Sequence, residues 1–476
     1  MGAESRGESV AVAIQTLRRR LGHPVIDGDG HLVESVPVWL GHVEKLGGGE
    51  APARVLQALR DATTGLGDAR RGLARGPWWG VTNRARDLAC VMAPRLLAER
   101  MGELGLDFAV LYPTLGLVLP TLPQDELRQL ACRALNSMNA ELAGPYAERM
   151  TVAAAIPMYT PAEAVAELDH AVRVLSMKAA SIPPGVARPL PAYPDAFPDA
   201  HFVDRFGLDS QHDYDPVWRA FTDLGVAVTS HGAVGLRYLE CGRRSPSNYM
   251  FNHIGAHAYQ QAELAKALVI GGVPRRFPRL TFGFLEGGAG WACDLLHALE
   301  EHYEKRCADG LRHYDPAALD REELRHELLR GGLAQAVREG RDPAPFAGDG
   351  GERPAWARDE FAESGIADEH EFGDVFARQL FFGCEADDRS VHRALDGRGN
   401  PFGSRLNAFF SSDIGHWDVP DLSSVVLESR RLVDAGLLAE RDYRDFVFAN
   451  PARLHLSMNP RFFDATAVEA EVRALR

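Results

Sequence analysis

Short apolar runs alternate with longer segments of helical spacing along most of the chain. Each apolar run is bounded by Pro, Gly or polar residues, as is typical of strands that are buried on both faces. We predict eight such strands: 24–27 (PVID), 107–113 (DFAVLYP), 151–157 (TVAAAIP), 177–183 (MKAASIP), 225–231 (GVAVTSH), 280–286 (LTFGFLE), 379–384 (QLFFGC) and 407–413 (NAFFSSD).

The segments between these strands carry helix signals. Residues 124–150 have helical spacing, and the segment 160–175 opens with Thr160 and has Glu163 three residues later, which is the pattern of a capping box. The helical segments 215–225 and 258–272 both end in glycine, a common helix terminator.

Eight strands that alternate with helices predict an α/β fold, a distorted (β/α)8 TIM barrel with right-handed crossovers. An open doubly wound sheet is the alternative. That fold would require a Gly-rich turn after the first strand, and VIDGDGHLVE (25–34) has acidic residues there instead. We therefore favour the barrel.

Three segments lie outside a minimal barrel. Residues 1–23 form an N-terminal extension with a short basic helix pattern, and residues 24–476 form a single barrel domain with insertions at about 35–105 and 303–378. Long connections after barrel strands lie on the catalytic face, so both insertions are candidates for a lid or wall over the site. Within the second insertion, 339–356 is charged and rich in Gly and Pro; a functional excursion and a disordered surface loop both remain open.

The overall charge narrows the function classes. A formal net charge of −14 argues against a nucleic-acid or anionic-membrane surface. The six cysteines are scattered without a CxxC pair, the first residues (MGAESRGES) are polar, and no apolar run is long enough to span a bilayer. We therefore expect a cytoplasmic protein that acts on a small molecule, with neither nucleic acid nor membrane as partner.

Chemistry-bearing residues follow several of the predicted strands. The carboxyl ends of barrel strands converge at one mouth, so these side chains are expected to meet there. They are Asp29 and His31 after the first strand, His231 after the fifth, Glu286 after the sixth, Glu385 after the seventh and Asp413 after the eighth. Asp29 and His31 are two residues apart and so share one face of an extended chain. Imidazoles and carboxylates in this arrangement suit a catalytic divalent metal ion, with zinc preferred and manganese the alternative.

Three motifs resemble a known family. VIDGDGHLVE (25–34) resembles the first-strand signature of the amidohydrolase-2 group, which is part of the metal-dependent amidohydrolase superfamily. Residues 257–306, with LEGGAGW and EHYEK, resemble a helix–strand–helix step of that group, and SSDIGHWDVPD (411–421) resembles its closing motif. The group contains hydrolases and non-oxidative decarboxylases on distorted (β/α)8 barrels, and a homodimer is expected from the resemblance alone.

The resemblance implies one divalent metal ion held by Asp29, His31, His231 and Asp413. It also implies that Asp413 accepts a proton from the water that the metal activates. The chain departs from the family pattern in two places. Asp29 stands where many superfamily members have the first His of an HxH pair, and Glu286 stands where several decarboxylases have a catalytic His. The second departure weakens the decarboxylase interpretation. Glu286 is then a general acid or base, or it orients His257.

Candidate residues around the metal ligands have open alternatives. His257 matches a position of the family, although a solvent-exposed histidine at a helix start is the alternative. For His253, four residues earlier, an ordinary helix surface is favoured over a metal pair, because no third ligand is evident nearby. Glu34 is expected to bond a ligand or a backbone amide, His416 to support the ligands, and Asp27 to orient them.

Three further residues are candidates for contact with substrate. Trp78 and Trp79 would wall an aromatic pocket or fill the core, and Arg237 would hold a substrate carboxylate or form a surface ion pair.

The expected activity is that of a metal-dependent hydrolase in which activated water attacks a small organic substrate, carboxylated or aromatic or cyclic. Asp413 would be the base, and Glu286 or His257 would assist the leaving group. A non-oxidative decarboxylase on the same scaffold is the first alternative, and an inactive barrel that serves as a binding or scaffold subunit is the second.

Overall fold

The computed structural model describes residues 3–63, 77, 79–190, 201–233, 245, 247–315, 318–335 and 359–475. Its strands are β1 Ile26–Leu32, β2 Phe108–Pro113, β3 Met150–Ala155, β4 Ala179–Ile182, β5 Val186–Pro189, β6 His201–Asp204, β7 Val228–Ser230, β8 Phe282–Phe284, β9 Leu380–Cys384 and β10 Asn407–Phe410.

The α-helices surround these strands. They are α1 Ala3–Leu21, α2 Val36–Gly47, α3 Ala51–Thr63, α4 Ala85–Met92, α5 Pro94–Leu104, α6 Asp125–Ala143, α7 Pro161–Arg173, α8 Asp215–Leu224, α9 Tyr249–His253, α10 Ala256–Ile270, α11 Val273–Arg276, α12 Gly290–Arg306, α13 Ala308–Leu311, α14 Arg321–Arg330, α15 His370–Arg378, α16 Val391–Asp396, α17 Val425–Asp434, α18 Glu440–Arg444, α19 Asn450–Leu456 and α20 Glu469–Arg473.

Eight strands form one parallel sheet in the order β1-β2-β3-β4-β7-β8-β9-β10. The sheet curves until its first and last strands meet. There the N–H of Asp413 donates to the carbonyl of Asp29 (3.0 Å), and the N–H of His31 donates to the carbonyl of Ile414 (2.8 Å). The predicted TIM barrel is therefore confirmed, and its nearly closed seam joins the segments that carry the candidate ligands.

Several helix ends follow the predicted signals. Thr160 and Glu163 form a reciprocal capping box at the start of α7. The helix α8 ends at Gly225, which has the left-handed conformation that stops a helix. The predicted helix over 124–150 was too long, because α6 ends at Ala143 and β3 already begins at Met150.

The first strand differs from its prediction. It was expected over 24–27, yet it continues to Leu32, so Asp29 and His31 lie within the strand and not beyond it. The register between β1 and β2 shifts between Asp27 and Gly30. Gly28 allows close packing there, since a Cβ atom on it would lie 2.6 Å from Cδ2 of Phe409.

The connections contain elements that the sequence pattern did not predict. The strands β5 and β6 pair as an antiparallel hairpin apart from the barrel. The insertion at 35–105 contains the helices α2 to α5, and the described part of 303–378 includes α13 to α15. The segment 339–356 lies outside the described residues. Among the residues described, no helix combines the length and apolar character that a membrane crossing requires.

Candidate metal centre

Asp29 and His31 project from β1 into the barrel. Both side chains are fully buried, and Nε2 of His31 lies 3.6 Å from Oδ1 of Asp29. Within the described part of the chain, neither carboxylate oxygen of Asp29 and neither ring nitrogen of His31 has a hydrogen-bond partner. Buried polar atoms are rarely left in this state, so these four atoms indicate a site built for a ligand.

His231 completes a group of three. It follows β7 directly, across the barrel from β1, and its side chain is almost fully buried. One donor atom from each of Asp29, His31 and His231 lies within 4.8 Å of the others. A carboxylate and two imidazoles at this spacing match the donor set of a divalent transition-metal ion.

Asp413 lies beside this group. Its backbone φ of +51° is unusual for a residue other than glycine and turns the chain three residues beyond β10. Oδ1 of Asp413 is 3.4 Å from Nε2 of His31 and 2.6 Å from Nδ1 of His416. Asp413 forms a second group within 4.8 Å together with His31, His416 and Glu286. The structure thus places three of the four predicted ligands in one group and connects the fourth through His31.

Glu286 faces several imidazoles. It follows β8 by two residues and also has a positive φ, +52°. Its Oε2 atom is 3.0 Å from Nε2 of His231, 3.4 Å from Nδ1 of His257 and 4.0 Å from Nδ1 of His416. His257 is buried, so it is not the solvent-exposed helix-start residue of the alternative interpretation.

Burial and neighbouring charges shift the titration of these groups. Burial raises the pKa of Asp29 and of Asp413 well above the usual carboxyl range, and it lowers the pKa of His31. Burial would also raise the pKa of Glu286, but His257 and His231 together hold that pKa well below its usual range. A divalent cation would compensate the buried carboxylates at Asp29 and Asp413, and the residues present therefore fit a metal ion.

A second layer of contacts holds the ligand-bearing segments. Asp27 accepts hydrogen bonds from the backbone N–H of Ser412 (2.9 Å), the hydroxyl of Ser412 (2.5 Å) and the N–H of Asp29 (3.2 Å). Glu34 accepts a hydrogen bond from the backbone N–H of Leu115 (2.9 Å). Of the two roles expected for Glu34, this is the bond to a backbone amide. These bonds connect β1 to the segments after β10 and β2, so they hold in place the segments that carry Asp29, His31 and Asp413.

The ring of His416 stacks on that of His31, with 3.6 Å between centroids and 26° between planes. This contact restricts the orientation of the His31 ring.

An aromatic cluster lies next to the histidines. The ring centroid of Trp417 is 5.7 Å from that of Trp79, 6.2 Å from that of Tyr249 and 5.3 Å from that of His253. Trp79 therefore contacts one aromatic residue of α9 and one of the loop after β10. Trp78 and Arg237 lie outside the described residues.

His253 has neighbouring donor atoms that the sequence did not reveal. No third ligand was evident from the sequence, yet donor atoms of His253, Glu286 and Asp418 lie within 4.8 Å of one another. Sequence reasoning missed Asp418, Trp417 and Tyr249. The first two belong to the quoted closing motif, which was the available signal, whereas Tyr249 carries no local signal. Glu385 is exposed at the end of β9 and belongs to none of these donor groups.

Comparisons with known proteins agree with the fold. A family model described as Amidohydrolase matches residues 122–335. No curated protein matches the chain. An amidohydrolase structure from Mycobacterium avium subsp. paratuberculosis K-10 is similar, with a TM-score of 0.51 and 17% identity over 78% of this chain and 77% of that one.

Two decarboxylase structures are similar at lower scores. One is a 2,6-dihydroxybenzoate decarboxylase complexed with 2,6-dihydroxybenzoate, with a TM-score of 0.49 and 15% identity over 91% of this chain and 99% of that one. The other is a 5-carboxyvanillate decarboxylase from Novosphingobium aromaticivorans DSM 12444 with bound manganese, with a TM-score of 0.49 and 12% identity over 92% and 98%. The resemblance predicted from the motifs is confirmed for part of the chain: residues 122–335 match the Amidohydrolase family model, and the barrel fold is similar to that of the amidohydrolase structure.

Proposed function

We propose that this protein is a metal-dependent hydrolase of the amidohydrolase-2 type that acts on a small organic substrate. The observation that carries the proposal is the buried group of Asp29, His31 and His231, in which the oxygens of Asp29 and the nitrogens of His31 have no hydrogen-bond partner among the described residues. A scaffold protein gains nothing from such a group, because unsatisfied buried polar atoms reduce stability.

Asp29, His31, His231 and Asp413 would hold one divalent ion, zinc or manganese. When bound, such an ion lowers the pKa of water and polarises a carbonyl group. Asp413 is the proton acceptor for the attacking water. His416, 2.6 Å from Oδ1 of Asp413, orients that carboxylate.

His257 and Glu286 act on the other side of the reacting bond. Glu286 stays ionised, so it favours a protonated imidazole at His257, whose Nδ1 lies 3.4 Å away. His257 then donates a proton to the leaving group as the bond breaks. A carboxylate at position 286 favours hydrolysis over decarboxylation, because it places negative charge where a substrate carboxylate would have to bind.

The aromatic cluster supports a substrate with a flat or cyclic part. Trp79, Tyr249 and Trp417 come from three different segments, and their rings meet edge to face with interplanar angles of 82°, 67° and 69°. The substrate is a small molecule, since the ligand group lies inside the barrel and is buried.

The test is a reaction screen in water labelled with oxygen-18. Small amides, esters, lactones and carboxylated aromatic compounds are incubated with the zinc- or manganese-loaded protein, and label uptake and released carbon dioxide are both measured. Hydrolysis predicts labelled product that is lost in Asp413→Asn and retained in the control Asp169→Asn, which changes an exposed residue on α7. Release of carbon dioxide together with an organic product that carries no label would instead establish a decarboxylase. If no compound class gives either a labelled product or carbon dioxide, the inactive scaffold is favoured.

A further inference from the structure

We propose that the chain binds a second divalent cation, held by His253, Glu286 and Asp418, outside the group of Asp29, His31 and His231. Donor atoms of these three residues lie within 4.8 Å of one another. The two groups share no residue, and we refer to them as the outer and the inner site. The proposal rests on these contacts and not on the hydrolase assignment.

Glu286 connects the two sites, because it belongs to the outer site and contacts a residue of the inner site. Its Oε2 atom is 3.0 Å from Nε2 of His231, which belongs to the inner site. A carboxylate has two oxygens and can therefore contact groups on two sides at once. Two-metal hydrolytic centres use cations about 3.5–4 Å apart, so a carboxylate that faces both sites fits such a pair.

The outer ligands are held in place by the aromatic cluster. His253 is the last residue of α9, and its ring centroid lies 5.3 Å from those of Tyr249 and Trp417. Asp418 directly follows Trp417, so the same loop supplies a packing ring and a ligand. Asn248 accepts a hydrogen bond from the N–H of Phe251 and caps α9, which fixes the short helix that carries His253.

The donor chemistry suits a transition-metal ion. One imidazole and two carboxylates form a set that binds zinc or manganese and leaves positions open for water. Because His253 and Asp418 are half-buried, the outer ion is expected to exchange with solvent more readily than the inner one.

The experiment is a titration of the metal-depleted full chain with manganese, followed by calorimetry and electron paramagnetic resonance. The wild type is expected to bind about two ions in a tight and a weaker step, and the fully loaded protein should give the broadened signal of two close manganese ions. In His253→Gln and Asp418→Asn the weaker step is lost and the signal becomes that of an isolated ion, while the tight step is unchanged. His326→Gln, at an exposed position on α14, is the control and should behave as wild type.

One ion per chain in the wild type, or two ions in both variants, would overturn the outer site. Two ions in a protein that hydrolyses nothing would leave the outer site standing and reject the proposed hydrolase. Circular dichroism of both variants verifies that a lost step does not reflect unfolding.

Discussion

Oε2 of Glu286 lies 3.0 Å from Nε2 of His231, although the two residues stem from different barrel strands. Both side chains are buried, and each shifts the titration of the other. Burial alone would lower the pKa of His231. The hydrogen bond and the negative charge of Glu286 raise it by more, so the pKa of His231 lies above its usual value. The contact couples a candidate metal ligand to a carboxylate that has no such role in the inner group.

Replacing Glu286 by Gln is expected to decrease turnover by about 10²–10⁴-fold, the range typical of a lost acid–base group. Gln is nearly isosteric with Glu but cannot favour a protonated His257. The inner ion should be retained, because Asp29, His31 and His231 are unchanged. Turnover and metal content measured on the same sample check this. Loss of the inner ion together with activity would show that Glu286 is needed for metal binding itself.

Ser412→Ala is expected to lower the free energy of unfolding by about 1–3 kcal/mol. The hydroxyl of Ser412 donates to Oδ2 of the fully buried Asp27, and its loss leaves that oxygen without this donor. Thermal or denaturant unfolding measures the change. Ser457→Ala is the matched control, since the hydroxyl of Ser457 bonds a carbonyl of its own helix at an exposed position. Equal effects of the two substitutions would contradict the role given to Asp27.

Gly28→Ala is expected to destabilise the fold by about 1–3 kcal/mol through overpacking. The new Cβ atom would lie 2.6 Å from Cδ2 of Phe409 and 3.2 Å from the backbone oxygen of Phe410. Gly41→Ala is the control: it lies within α2, with nothing within 4 Å of its added Cβ, and should be neutral or slightly stabilising. Chemical denaturation compares the two. If Gly28→Ala left the free energy of unfolding unchanged, β1 and β10 could not be packed as closely at Gly28 and Phe409 as these distances indicate.

His455→Phe is expected to make the free energy of unfolding decrease less steeply as the pH falls. The buried ring of His455 has no hydrogen-bond partner among the residues that the structure describes. It stacks on Phe462 with 4.2 Å between ring centroids, and burial lowers its pKa to about 3. As the pH falls below the ordinary histidine value, the unfolded chain takes up a proton that the folded chain does not. Stability therefore falls by about 1.4 kcal/mol per pH unit from this group, between roughly pH 6.5 and pH 3.

The free energy of unfolding measured between pH 7 and pH 4 in wild type and variant isolates that term. The same substitution at the exposed His326 should leave the slope unchanged. If His455→Phe has the wild-type slope, the imidazole is protonated in the folded chain.

The barrel and the grouping of Asp29 and His31 with His231 could be predicted from sequence, because apolar runs mark the strands and the carboxyl ends of barrel strands converge at one mouth. Strands buried on both faces leave continuous apolar runs, and Asp29 and His31 are neighbours on one strand. The extent of β1 could not be predicted, because its alternating glycines and acids resemble a loop; the close packing of Gly28 against Phe409 explains why they occur in a strand.

The residues of the proposed outer site could not be predicted from the sequence, because they are far apart along the chain. His253 and Asp418 are separated by most of the second half of the chain, and they meet only because α9 packs against the segment after β10. The exposure of His257 was likewise undecided, because α10 turns this residue toward Glu286 through tertiary packing that leaves no local pattern.

Elemental analysis after zinc or manganese loading and removal of free ions tests the central claim most directly. We expect about one tightly bound divalent ion or more per wild-type chain. The number of bound ions should decrease strongly in Asp29→Ala and His231→Ala and should stay unchanged in His326→Ala, which alters an exposed residue. A folded wild type that retains no ion, or inner-site variants that retain as much as wild type, would contradict it.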